Sequence, residues 1–289
     1  MPRAVDHLVI AARDLEAQAA LYRRLGFQVG ARNRHPWGTE NHIVQFDGAF
    51  LELIGLGESF VAPTPSEDVF PFSGFVASYL ERREGIAMLV LRSADAKADW
   101  RRFKAEEIGD FARFDFARKG RRPDGREVEV AFSLAFAASP ALPETGFFVC
   151  QQHFPENFWS RAAQVHPNGA IGIAGLTIVC ERPGDAAEFL GTFLDAPDRR
   201  IPGGSTFHAA GATIECVTPS AFSARYAAPS PREGVVAVRV CVPDLAVAEA
   251  VLKRNGATFR HCGGETVVDA PDAMGALIAF VEATPARLA

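Results

Sequence analysis

The 289-residue chain has no uninterrupted apolar run of about 18 residues, the length a helix needs to cross a bilayer. Its opening residues, Met1-Pro2-Arg3-Ala4-Val5-Asp6-His7, put an acid and a histidine where a signal peptide carries its apolar stretch. A cytoplasmic protein with no membrane partner is therefore expected. Positive charge is not in excess: 30 Lys and Arg face 35 Asp and Glu, for a formal net charge of -5, so no basic field exists to hold nucleic acid. No Cys-x-x-Cys pair occurs, and Cys150, Cys180, Cys216, Cys241 and Cys262 sit mostly in apolar strand-like runs, which reads as reduced core residues. The phosphate-loop, dinucleotide and serine-hydrolase signatures are missing as well. Tyr and Trp number 3 each beside 23 Phe, a balance that suits a large apolar interior or an apolar substrate cavity. At 48% hydrophobic and 22% charged the composition is globular, and the length favours two domains.

Element order carries more information. His7 to Ala12 reads as a strand, Asp14 caps a helix from Leu15 to Leu25, and Gly26 ends it. Phe27 to Ala31, His42 to Phe46 and Phe50 to Leu56 read as three strands, the last two joined through the turn residues Asp47-Gly48. This βαβββ order recurs from strands beginning near Ile86, Gly175 and Ala237. Paired modules bury a shared curved sheet, so four modules predict an α+β protein of two cupped mixed β-sheet domains. The expected division is 1–155, a linker at 156–172 containing His166-Pro167-Asn168-Gly169, and 173–289.

Asp6-His7-Leu8-Val9-Ile10, the helix end Tyr22-Arg23-Arg24-Leu25-Gly26-Phe27 and the strand Phe50-Leu51-Glu52-Leu53-Ile54-Gly55 resemble the opening module of the vicinal oxygen chelate superfamily. Gly38-Thr39-Glu40-Asn41-His42, Cys150-Gln151-Gln152-His153 and His166-Pro167-Asn168-Gly169-Ala170 resemble its glyoxalase-like branch. The resemblance implies a divalent metal in the cup, with ligands from the first and last strands of each module. His7 and Glu52 supply the first pair, a donor set that suits Zn, Ni, Fe or Mn better than Ca. In the second module the first-strand position falls near Ile86, while strand alternation puts Gln151 and His153 on the cup face and turns Cys150 and Gln152 away. In the second half the equivalents are Gly175 or Leu176, Glu215, Ala237 and Ala279, which will not hold a metal.

A carboxylate between Leu51 and Leu53 is costly to bury without a cation or donors, so Glu52 is the expected catalytic group unless arginine or backbone donors hold it. His35, Trp37 and His42 flank a break at the rim and are candidate substrate contacts. The implied chemistry is a metal-dependent lyase or isomerase step on a small vicinal-oxygen substrate, through an enediolate, with Glu52 moving the proton. Ring cleavage by oxygen is a variant. The rival reading is a metal-free binder of a hydrophobic compound, as in antibiotic-resistance members of the superfamily. Four modules in one chain can close both cups internally, which permits a monomer, and the resemblance also allows a homodimer.

Overall fold

The computed structural model describes residues 2–64, 66, 68–121, 126–229 and 232–283. Pro123-Asp124-Gly125, residue types that favour a turn, lie outside that set. The first half runs β1 (Val5–Ala11), α1 (Leu15–Arg24), β2 (Asn33–Arg34), β3 (Thr39–Gln45), β4 (Phe50–Leu56), α2 (Phe72–Arg82), β5 (Gly85–Arg92), α3 (Ala96–Ala105), β6 (Phe114–Arg121), β7 (Glu127–Ala137) and β8 (Gly146–Gln152). A short helix, α4 (Pro155–Phe158), leads to the second half. That half runs β9 (Gly172–Val179), α5 (Pro183–Leu194), β10 (Asp198–Ile201), β11 (Gly204–Ala209), β12 (Ala212–Val217), α6 (Pro219–Tyr226), β13 (Gly234–Val242), α7 (Leu245–Arg254), β14 (Arg260–Cys262), β15 (Glu265–Val268) and β16 (Leu277–Glu282).

The two halves form two eight-stranded mixed sheets of identical permutation, β2-β3-β4-β1-β5-β8-β7-β6 and β10-β11-β12-β9-β13-β16-β15-β14. Each is a pair of βαβββ modules joined at antiparallel first strands, β1 with β5 and β9 with β13. The α+β two-domain architecture is thus the one the repeat implies.

Helix starts fix the modules against one another. Asp14, Asp95 and Asp244 each accept backbone N–H bonds in the first turn of α1, α3 and α7, while Pro183 opens α5 behind Arg182. Seven residues before these caps stand His7, Met88, Gly175 and Ala237. Their parallel partners in the last strands are Phe50, Gly146, Thr213 and Leu277, so the residues two further on, Glu52, Phe148, Glu215 and Ala279, are equivalent as well.

Both faces of each sheet are covered, which is why β1 is buried throughout. The outer faces meet in one core between the domains, where Phe147 of β8 packs on Phe189 and Phe193 of α5 with centroids 4.9 and 5.3 Å apart. Burying each such ring is worth about 1.5–3 kcal/mol. The cup faces make two separate clusters turned away from that shared core.

Two local expectations need correction. Phe27 to Ala31 is not a strand, because the Gln28 N–H donates to His166 Nδ1 (2.9 Å) and the Gly30 N–H to the Ile43 carbonyl (2.9 Å), leaving only Asn33–Arg34 to pair with β3. The strand-centred reading also omits α2 and α6. In α2, Val76, Tyr79 and Leu80 fill the floor of the first cup, and in α6 Phe222 and Tyr226 fill the second.

Candidate functional site

The first cup is lined by the polar side chains His7, His35, Asn41, Glu52 and Arg118, and by Trp37, Ile43, Leu134, Cys150 and the rings of Phe50, Phe72, Phe116, Phe132, Phe148 and Phe158. The space between them is about 50 Å³, room for a few water molecules. The turn at Asp47-Gly48 sets the register of β3 against β4, pairing Gln45 with Phe50, Ile43 with Glu52 and Asn41 with Ile54. Gly48 adopts a left-handed φ of 70° there, the conformation glycine takes at least cost. That register points Asn41, Ile43 and Glu52 into the cup together.

His7 and Glu52 converge. The imidazole stacks on Phe50 at 4.2 Å between centroids, its Nδ1 lies 2.7 Å from the fully buried Asp6 carboxylate, and its Nε2 is 3.7 Å from Glu52 Oε2. Asp6 therefore accepts from Nδ1–H and orients the ring, leaving Nε2 to face Glu52. From the opposite side His35 brings its Nε2 to 3.7 Å from Glu52 Oε1, with Nδ1 on Thr39 Oγ1 at 2.9 Å. Asn41 Nδ2 donates to Glu52 Oε1 and stands 3.3 Å from His35 Nε2. Burial, first of all, pushes the His35 pKa down, with Arg118 and His7 adding to the effect and Glu52 opposing it. A neutral His35 presents a lone pair at Nε2, so imidazole nitrogens and a carboxylate face one small space.

Of the expected rim contacts, His35 and Trp37 line the cavity, their rings stacked at 4.7 Å. His42 does not. It lies on the outer face of β3, with Nδ1 on the Gly30 carbonyl (2.8 Å) and Nε2 3.2 Å from Glu16 Oε1. The face assigned to β8 is also reversed. Val90 of β5 belongs to the cup cluster and pairs with Phe148, and Arg92 pairs with Cys150, so Phe148 and Cys150 line the cavity. Gln151 points outward, accepting from the Ala96 N–H at the start of α3 (3.0 Å), and His153 Nε2 lies 2.8 Å from Ser133 Oγ. Gln152, expected to face away, donates to Asp6 Oδ1 at 3.2 Å. The first-strand position of the second module is Met88, because an irregularity in the β1–β5 pairing carries Ile86 to the outer core.

These placements decide how the implied metal fits. His7 and Glu52 have suitable donors; their counterparts Met88 and Phe148 are apolar. Among the described residues no three His, Cys, Asp or Glu side chains are arranged to hold one ion. The four-ligand set implied by the resemblance is not formed, and no step is routed through a metal.

Sequence reasoning missed three lining residues of consequence. Asn41 was legible from the hairpin register; Arg118 and Phe158 were not, since each comes from a distant segment. The linker is also the wall of the site. Phe158 lies against Phe50 (5.1 Å) and Phe132 (6.0 Å), and Gln45 holds this segment by donating to the Phe158 carbonyl (2.8 Å) and accepting from the Ser160 N–H (3.0 Å).

A family model described as a glyoxalase-like domain matches residues 5–194. The chain belongs to the glyoxalase-like domain family. The resemblance to the vicinal oxygen chelate superfamily is thereby borne out. A hypothetical protein from Staphylococcus aureus is similar over 97% of this chain and 99% of its own, at 10% identity and a TM-score of 0.67. A mutant 4-hydroxymandelate synthase from Streptomyces coelicolor is similar over 97% and 92%, at 14% identity and 0.62. A Mn(II)-bound glyoxalase from Novosphingobium aromaticivorans is similar over 98% and 83%, at 12% identity and 0.57. Such identities speak for the glyoxalase-like fold alone. No curated protein matches the chain. No helix among the described residues is long and apolar enough to cross a membrane.

Proposed function

We propose that the first cup is a lyase or isomerase site for a small molecule with neighbouring oxygens, in which Glu52 moves a proton between adjacent carbons. The observation that carries this reading is the setting of Glu52. Its counterpart Glu215 is clamped by Arg225, whose Nη1 donates to both carboxylate oxygens at 2.8 Å, and has Arg239 Nη2 at 3.6 Å. Glu52 has no such clamp; imidazole nitrogens and an amide surround it in the wall of an aromatic pocket. With no arginine within ion-pair distance among the described residues, the Glu52 carboxylate faces the cavity and can meet a substrate carbon directly.

The step is a simple exchange. Glu52 removes the proton from the hydroxyl-bearing carbon beside a carbonyl, and the C–H pair forms the C=C bond of an enediolate as the carbonyl pair moves onto its oxygen; the hydroxyl proton then passes to that oxygen by way of His7 Nε2, and the O–H pair becomes the new carbonyl as Glu52 returns its proton to the former carbonyl carbon. A substrate hydroxyl donates to His7 Nε2, which Asp6 holds in place. The aromatic walls keep water from competing.

The test uses hydroxyacetone in D2O, read by proton NMR. Protein-dependent deuteration of the CH2 group is expected, with Glu52→Gln slower by about 10²–10⁴-fold. Wild-type protein that neither exchanges nor isomerises the compound, with or without added Zn, Ni, Fe or Mn, sinks the proposal. A metal-free binder is the second reading, favoured by Met88 and Phe148 at the two remaining ligand positions. Elemental analysis finding no retained ion, together with a retained hydrophobic compound in native mass spectra, would support it.

A further inference from the structure

We infer that the compound taken by this cup is an anion, a small carboxylic acid whose carboxylate is received by Arg118. The inference rests on the first cup being a small-molecule site, and names the class of molecule. Arg118 is the one Lys or Arg among the residues lining the cavity, and it comes from β6, at the far edge of the sheet from β2. Its side chain spans the gap between those edges, with Nη1 donating to Asn33 Oδ1 at 3.4 Å. It forms no ion pair with a carboxylate among the described residues, and its Nε is shielded from solvent without a hydrogen-bond partner. Trp37, which also lines the cavity, likewise has its indole N–H buried and unpartnered.

Shielded donors without acceptors are uncommon in folded proteins, because each forfeits its bonds to water. A guanidinium fork and an indole N–H on the lining of one small cavity suit the two oxygens of a carboxylate, the partner for which arginine geometry is best suited. Burial lowers the Arg118 pKa, and the charge of Glu52 raises it. The cation is thus poorly solvated and gains from a second negative group. The body of the acid would lie among Phe116, Phe132 and Phe148, and its far end would reach Glu52.

Polarity elsewhere in the cup argues against a neutral or cationic ligand. With His35 and Glu52 both within reach of the Asn41 amide, the buried donors left without acceptors on the cavity-lining residues are those on Arg118 and Trp37. An acid brings acceptors to both. An amine or amide of the same shape would bring a donor against them.

Matched pairs make the test: lactate against lactamide, and glycolate against glycolamide, measured by calorimetry at low salt with folding followed by circular dichroism. The acid of at least one pair is expected to bind tenfold or more tightly than its amide, with the preference weakening as salt is raised. Arg118→Met should bring the ratio to about one, and Arg118→Lys should keep part of it. Glu52→Gln should leave the preference in place or enlarge it, since it removes a like charge. If Arg118→Met fails to fold, Arg118→Lys and the salt series decide. Equal binding of acid and amide in both pairs, or a ratio unchanged by Arg118→Met, overturns the inference. Acid binding that survives in a protein unable to deuterate hydroxyacetone would uphold it while removing the proton-transfer reading.

Discussion

Glu52 and Glu215 occupy the same register position in two sheets of the same permutation, so replacing each with glutamine is an internally controlled experiment. Glutamine keeps the shape and removes the charge. At position 52 the amide oxygen still accepts from Asn41, and its NH2 can donate toward His7 Nε2, which now has only a carboxylate oxygen 3.7 Å away. One gained neutral hydrogen bond and relief of a poorly compensated charge are worth about 0.5–1.5 kcal/mol, or a melting temperature higher by about 1–4 °C. At position 215 the same change removes charge-assisted bonds from Arg225 and leaves Arg239, whose side chain is 12% exposed, without its anion. The loss there is about 1–2 kcal/mol, toward the low end because Arg225 is 37% exposed. Urea and thermal unfolding of the two variants should therefore move in opposite directions. If Glu52→Gln loses as much stability as Glu215→Gln, both carboxylates are structural, and the argument that Glu52 is retained at a cost for its chemistry fails.

His166 ties the linker to the first domain by accepting from the Gln28 N–H (2.9 Å) and donating to the Gln45 carbonyl (2.7 Å), so His166→Ala should cost about 2–4 kcal/mol in urea unfolding. Burial lowers the pKa of His166, as it does that of His35, below the ordinary 6.5. The unfolded chain then takes up protons that the folded chain refuses, so stability is full above about pH 6.5 and declines as pH falls below it toward the folded values. His166→Gln should flatten that decline in a pH series of melting curves; an unchanged slope would contradict the assignment. His42→Ala and Gln151→Ala, which alter side chains facing away from the cup, should leave ligand affinity within about twofold, and a larger loss in calorimetry would mean that the faces are misassigned. Gly85→Ala places a Cβ 2.6 Å from the Gly275 carbonyl oxygen at a φ of 124°, and should lower the melting temperature by several degrees or more.

Much of the fold was legible because it is local and repeated. Asp14, Asp95 and Asp244 mark helix starts by their own hydrogen-bonding chemistry, and each follows an apolar strand at a constant distance. His7, Glu52, His35 and Trp37 were recognisable from residue type and position, and the structure brings all four to one cavity. The assignment of Gln151 and His153 to the cup failed for a definite reason. A strand's alternation gives two sets of residues without saying which set faces inward, and a single register shift at β1–β5 moves the answer. Asn41 shows the converse, since the tight Asp47-Gly48 turn fixes the β3–β4 register and would have placed it correctly.

By itself, then, the sequence determined four βαβββ modules, their pairing into two sheets, and a histidine and a glutamate at matching strand positions, because caps, turns and apolar periodicity act between near neighbours. Tertiary structure alone decided that the second module offers Met88 and Phe148 to the cup, that Arg118 crosses from the opposite sheet edge, and that Phe158 closes the wall. Those facts depend on which residues meet after the sheet has curled, and on distances between segments that no local preference encodes.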